Sequence, residues 1–242
     1  MIELLDRPRR LFLPTQLSGC ALWLRADLGV TLNGSTVSAW ANQGTAGGSC
    51  SQGTGAAQPT YAASGFGARS RPYLQFDGTG DYLDAALALA GTQWTVVAAV
   101  AYRSLVNSCT IGSFSNGVNA DWNNTATAVI SHVFAGNLEL LAAGSVRATK
   151  AAPGTSTPVV LTVGATGSAG VLRINGAAGT PAAYSSSLNA TLVRLGARAV
   201  PGASNFTAID LAEFAIFNRA LTAAEVAFVE RGFGAHYGIT VS

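Results

Sequence analysis

Asp210 and Glu213, near the C-terminus, are the nearest candidate in this chain for a pair of carboxylates that share acid and base work. A retaining glycosidic pair needs its two carboxyls about 5 Å apart. Asp210 and Glu213 lie three residues apart on the strand-like run IDLAEFAIF, a spacing that puts their side chains on opposite faces. Glu139 stands alone between leucines. His132 falls within the apolar run TAVISHVF and His236 near the end of a helical stretch, and neither has a nucleophile-elbow motif beside it. A lone histidine in such a setting is more often structural than catalytic. These patterns predict no catalytic residues and no enzyme activity.

Binding chemistry has two candidates. Asp121-Trp122-Asn123-Asn124 is the best oxygen-rich loop, and the Trp122 indole is suited to stacking on a sugar ring. Calcium wants six to eight oxygens, several of them from carboxylates, and only Asp121 is charged here, so no metal and no cofactor is expected. Asp121, Trp122 and Asn123 remain as a candidate glycan site, with Tyr61 and Tyr184 as further stacking platforms. The second candidate is the N-terminal segment. Arg7, Arg9 and Arg10 supply guanidinium forks, Leu11, Phe12 and Leu13 an apolar anchor, and Pro8 and Pro14 keep the backbone extended. Such an arm either docks on a partner or lies against its own domain. The Gly-rich stretch 44–56 lacks the Gly-Lys-Ser/Thr that would cradle a phosphate.

Composition narrows the partners. Hydrophobic residues make up 49% of the 242 and charged residues only 11%, which leaves little charge to keep a free monomer soluble. Either other chains cover part of the surface, as in a homo-oligomer, or the genome simply favours small residues. The net charge of +2 is too small and too dispersed for nucleic acid binding. No run of about eighteen apolar residues is uninterrupted, so no membrane span is expected. MIELLDRPRRLF lacks the charge order and apolar region of a signal peptide. Cys20, Cys50 and Cys109 read as buried small hydrophobes of a reducing compartment, with one disulfide left open.

The elements that must position these residues are almost all strands. CALWLRAD (20–27), TVSAWAN (36–42), PYLQFDG (72–78) and DYLDA (81–85) come first, with 43–58 as a long loop between the second and third. QWTVVAAVAY (93–102) is the most continuously apolar strand candidate and belongs at the centre of a sheet, buried on both faces. Runs at 109–114, 127–134, 138–144 and 145–149 follow, then a hairpin over 158–176 and a strand over 190–198. About twelve strands spaced at 8–12 residues are the pattern of a sandwich or jelly roll. After the last strand the period changes. Thr222 and Glu225 form a capping box, Val226, Val229 and Phe233 recur at helical spacing, and Gly234 and Gly238 end the segment.

The order LSGCALWLRADLGV, VSAWANQGT, Pro59-Thr60-Tyr61 and YLQFDGTGDYLD resembles the concanavalin A-like lectin/glucanase superfamily, closest to the LamG-like domains of bacteriophage structural proteins. Phe76, Asp77, Gly78, Asp81, Tyr82 and Leu83 match its turn before a central strand. Glu213, Phe217, Asn218, Arg219, Ala220, Leu221 and Glu225 match its ending. The resemblance covers 17–238. It implies an all-β, antiparallel β-sandwich (jelly roll) with one short C-terminal helix, divided into an extended arm (1–16) and a LamG-like domain (17–242). Glycosidases of the superfamily carry E-x-D-x-E or E-x-D-x-x-E on one strand, and no such motif occurs here. The resemblance implies a non-enzymatic virion protein, made in the host cytoplasm. Its expected role is capsid decoration, anchored by the arm to a major capsid or tail protein. The alternative is a carbohydrate-binding module of a head or tail fibre, directed at host-surface glycans. The turn residues are explained by turn chemistry alone.

Overall fold

A computed structural model of the protein describes residues 12–118, 121–199 and 202–242. The first part of the chain forms β1 (Cys20–Arg25), β2 (Val30–Asn33), β3 (Thr36–Ala41), β4 (Ser49–Ser51), β5 (Thr60–Phe66) and β6 (Arg71–Asp77). The middle forms β7 (Leu83–Gly91), β8 (Gln93–Tyr102), β9 (Thr110–Ser115), β10 (Ala128–Phe134), β11 (Asn137–Ala142) and β12 (Ser145–Ala151). The last part forms β13 (Val159–Thr166), β14 (Gly170–Ile174), β15 (Ala177–Ala178), β16 (Thr180–Pro181), β17 (Leu188–Leu195) and β18 (Ala208–Phe217). One helix, α1 (Ala223–Tyr237), closes the chain.

All the ladders are antiparallel. On one wall β18 pairs along one edge with β8 and along the other with β6 and β1, and β8 leads on to β13 and β14. On the facing wall the order runs β4, β7, β17, β9, β10, β11, β12. β3 bridges the walls at one side, pairing with both β4 and β5, so the 18 strands of the described residues form one ladder that is nearly closed. The two separate sheets expected from the sequence are thus joined at their margin. Residues 43–58, expected as loop, contain β4, which pairs with β3 and β7. Cys20, Cys50 and Cys109 are buried and unpaired, so the disulfide left open is not formed.

Two apolar clusters result. The larger fills the space between the walls, with Trp94, Val96, Ala98 and Val100 of β8 and Ile209, Leu211, Phe214 and Ile216 of β18. The smaller lies on the outer face of the same strands, where Val97, Ala99, Ala212 and Phe217 meet Val226, Val229, Phe233 and Tyr237 of α1. This double burial is why 96–101 is an unbroken apolar run. The helix starts on the expected capping box, the Thr222 hydroxyl accepting from the Glu225 N–H while the Glu225 carboxylate accepts from the Thr222 N–H. Arg219 holds that carboxylate through both nitrogens, at 2.8 and 2.7 Å, and donates to the Ser18 carbonyl. Gly238, left-handed at φ 70°, ends the helix; Gly234 lies inside it, close against Val241. The FDGTGD turn is held by Asp77, whose carboxylate accepts from the N–H groups of Thr79, Gly80 and Asp81, while Asp81 accepts from Asp77. Burial works to raise the Asp77 carboxyl, but a hydrogen bond from the Thr79 hydroxyl, together with those from the backbone, outweighs it and lowers it to about 2.

Arg7, Arg9, Arg10 and Leu11 lie outside the described residues. Phe12 and Leu13 pack on their own domain, against the helix-side cluster. The Phe12 ring meets Phe228 edge-on, centroids 4.8 Å apart, and sits over Gly232, where a Cβ would overlap it. Phe12→Ala should therefore cost about 1–2 kcal/mol, the value of a half-buried phenylalanine. Gly232→Ala should gain about 1 kcal/mol of helix propensity only in the Phe12→Ala background, because in the native chain it unseats the ring. Urea unfolding of the four proteins of this cycle measures it, and an equal gain in both backgrounds would show that the ring has no seat there.

Candidate functional site

Two bulges decide which polar groups reach a surface. In β10, Ile130 and Val133 point into the core, although strict alternation would put Ile130 and His132 on one face. The pairing of β10 with β11 slips by one between Val129 and His132, and Ser131 adopts φ 58°. The extra residue turns Ser131 inward, where its hydroxyl bonds the buried Tyr102 hydroxyl, and turns His132 outward. There the hairpin register sets His132 opposite Glu139, with Nδ1 3.3 Å from Oε2. The carboxylate only accepts, so Nδ1 carries the proton and Nε2 is left as an acceptor. Burial pushes the imidazole below its ordinary 6.5 despite Glu139, and Arg198 adds to that, so the ring is neutral at pH 7.

This pair lies in a cleft of about 440 Å³ on the outer face of β10–β12. Phe134, Leu141 and Val146 give it apolar flanks, and Trp122, 42% exposed, lines it from the loop before β10. Of the three residues predicted as a glycan site, the structure places only Trp122 in the cleft wall; Asn123 is exposed beside it, and Asp121 is fully buried beneath. One Asp121 oxygen accepts from Arg198 Nε at 2.7 Å and the other from the Ala199 N–H at 2.8 Å. Asp121 therefore holds the loop, and the Arg198 guanidinium then stands 5.8 Å from the indole centroid. The Gly144 N–H donates to the Trp122 carbonyl at 2.8 Å, tying the loop to the β11–β12 turn as well. Tyr184 is buried and accepts from the Trp94 indole, so it is no stacking platform, and Tyr61 packs partly against the core away from the cleft. Among the described residues no group of three His, Cys, Asp or Glu gathers as a metal site, and no helix is long and apolar enough to cross a membrane.

Ser108, at φ 72°, also lines the cleft, so a hydroxyl, an imidazole and a carboxylate border one space. Acyl transfer would also need donors for an oxyanion. The two backbone N–H groups at this serine are already engaged, Ser108 with the Val133 carbonyl at 2.7 Å and Cys109 with that of Val106 at 3.3 Å. Asp210 and Glu213 meet the second bulge, between Leu211 and Glu213 on β18. It turns both away from the inner core, on the helix side, which corrects the expectation of opposite faces. They still do not act as a pair. Asp210 bonds Gln75, while Glu213, 2% exposed, accepts from the Trp23 indole at 2.7 Å beneath Tyr237. His236, 3.8 Å from Asp27, is pushed down to about 4 by burial, then by Arg25 and Arg71.

The His132–Glu139 pair was missed because each residue was read in its own strand. The signal was present: Ala135-Gly136 turns the chain midway between them, which makes them cross-strand partners.

Burial lifts the Glu213 carboxyl from 4.5 to about 8, against the Trp23 hydrogen bond and the attraction of Arg25. A raised carboxyl stabilises the fold below its unfolded value and loses that contribution as pH climbs through the folded one. Glu213 should therefore contribute a loss of stability from pH 4.5 to 8, steepest above pH 6.5 where His236 no longer opposes it, and Glu213→Gln, which keeps an acceptor for Trp23, should remove that loss. Parallel slopes in melts across this window would contradict it. Asp121→Asn leaves Arg198 without its counter-charge and should cost about 3 kcal/mol in urea unfolding; a loss under about 1 kcal/mol, the range of exposed pairs, would show that the pair does not hold the loop.

No protein-family model and no curated protein matches this chain. Solved structures do resemble it. A Trypanosoma rangeli sialidase in complex with sialic acid superposes with a TM-score of 0.59 at 13% identity, over 94% of this chain and 35% of the sialidase, so the chain spans about a third of that protein. Domain 4 of AbnA, a GH43 extracellular arabinanase from Geobacillus stearothermophilus, in complex with arabinotriose, gives 0.53 at 16% identity, over 74% of this chain and 82% of the domain. The binding domain of botulinum neurotoxin serotype D gives 0.50 at 12%, over 88% and 51%. At these identities the likeness is one of fold, a β-rich antiparallel architecture consistent with the concanavalin-like, sandwich type.

Proposed function

We propose that this chain is a non-catalytic carbohydrate-binding module on a concanavalin A-like jelly roll, and that the cleft beside Trp122 is its site. The observation that carries this reading is the indole itself. It is a large exposed aromatic on a loop held by the Asp121–Arg198 pair and the Gly144 hydrogen bond, and it borders the same cleft as His132 and Glu139. A rigid aromatic platform with a few fixed polar groups is what a sugar needs, one apolar face and several hydroxyls at once. Two neighbours were solved with sugars, sialic acid on the sialidase and arabinotriose on the arabinanase domain, which supports the class of ligand by analogy of fold. The engaged N–H groups at Ser108, and the separation of Asp210 from Glu213, support the absence of catalysis.

A second reading keeps the virion role. A chain with 11% charged residues that exposes Val106, Val118 and Phe228 suits a surface packed by other copies or by a capsid or tail protein, with the part of the arm before Phe12 as anchor and the glycan site facing the host. Full occupancy of a virion by protein lacking residues 1–11 would remove the arm from that reading.

Trp122→Ala should lower retention on immobilised polysaccharides at least tenfold while leaving the melting temperature within about 2 °C, since a half-exposed ring contributes little to the core. Unchanged retention by a folded variant would rule out this cleft as the site.

A further inference from the structure

We infer that the cleft selects uncharged oligosaccharides and turns away glycans that carry a carboxylate. The inference rests on the glycan-binding reading and adds the ligand's charge to it. Among the described residues that line the cleft, the ionisable side chains are His132, Glu139 and Arg198. The Arg198 charge is cancelled from behind, because Nε and a terminal nitrogen both lie 2.7 Å from an oxygen of the fully buried Asp121. A ligand cannot draw the guanidinium forward without leaving that carboxylate buried and unpaired, which is strongly unfavourable. The imidazole is neutral at pH 7 and has committed its Nδ1–H to Glu139. Glu139 thus presents the one formal charge without a cationic partner, and it is negative.

A sugar carboxylate entering the cleft therefore meets a carboxylate and no free cation. A sugar hydroxyl meets the opposite situation, since the Glu139 carboxylate and His132 Nε2 both accept hydrogen bonds, and those to a carboxylate are charge-assisted. The flanks formed by Trp122, Phe134 and Val146 suit the C–H faces of a neutral ring.

The test uses the full chain at pH 7.5 on an array holding neutral oligosaccharides (arabinan, xylan, glucan and mannan series) beside sialylated and uronic-acid ones. Neutral members should bind at least tenfold tighter than acidic ones of equal length. Glu139→Gln should cut that discrimination to about threefold or less. Raising salt from 50 to 500 mM should weaken the discrimination of the native protein, because screening shortens the reach of Glu139. Binding of acidic glycans as well as or better than neutral ones overturns the inference and leaves the glycan-binding reading standing. Selectivity that survives both Glu139→Gln and high salt also overturns it. No binding of any glycan overturns both.

Discussion

A strand covered on both faces has no side left for polar groups, and β8 and β18 are covered on both, by the inner core and by α1. The remaining elements are arranged around that constraint. β6, β1 and β13 pair outward from these two strands, α1 lies over their outer face, and the facing wall closes over the inner one. The helix is part of the core, and the capping box and Arg219 clamp matter because they start it at the point from which Val229 and Phe233 reach the sheet. Phe12 extends the same cluster past the helix, filling the notch left by Gly232.

Thr95 is buried in β8 with its hydroxyl bonded to the Arg219 carbonyl and the Leu221 N–H, but Glu213 and His132 take their places where the alternation is broken. Each bulge adds one residue against a neighbouring strand and moves one ionisable side chain across the sheet. In β18 the result is Glu213 beneath the helix, held by an indole N–H in an environment too dry for its charge. In β10 it is His132 in the open cleft with Glu139 beside it. The same device thus yields a structural group at one place and a surface pair at the other. What separates them is the cover, since α1 lies over the first and solvent over the second.

Much of the fold could be read from the sequence, because it is written in local patterns. The apolar run 96–101, the capping box at Thr222 and Glu225, the Asp77 turn and the closing helix all follow from residues within a few positions of each other. β4 escaped notice because Ser49-Cys50-Ser51 has almost no side-chain signal and is a strand only by virtue of its partners in β3 and β7. The site was legible in part. Trp122 stands out as a tryptophan in a polar loop, whereas the role of Asp121 depends on Arg198, 77 residues away, and no local pattern joins them. Ser131 gives no warning either, for a serine in an apolar strand reads as one more outward position and not as an extra one.

That serine is the one residue the hairpin does not need. Without Ser131 the pairs Val129–Leu141 and His132–Glu139 would fall into one unbroken register, with Ile130 and Val133 still inward and His132 still facing Glu139. What the extra residue supplies is reach into the interior, where its hydroxyl gives the buried Tyr102 hydroxyl a partner. A single-codon deletion would thus leave the cleft standing and orphan a phenol in the core, so the length of this strand answers to what lies beneath the sheet and not to the surface it shows.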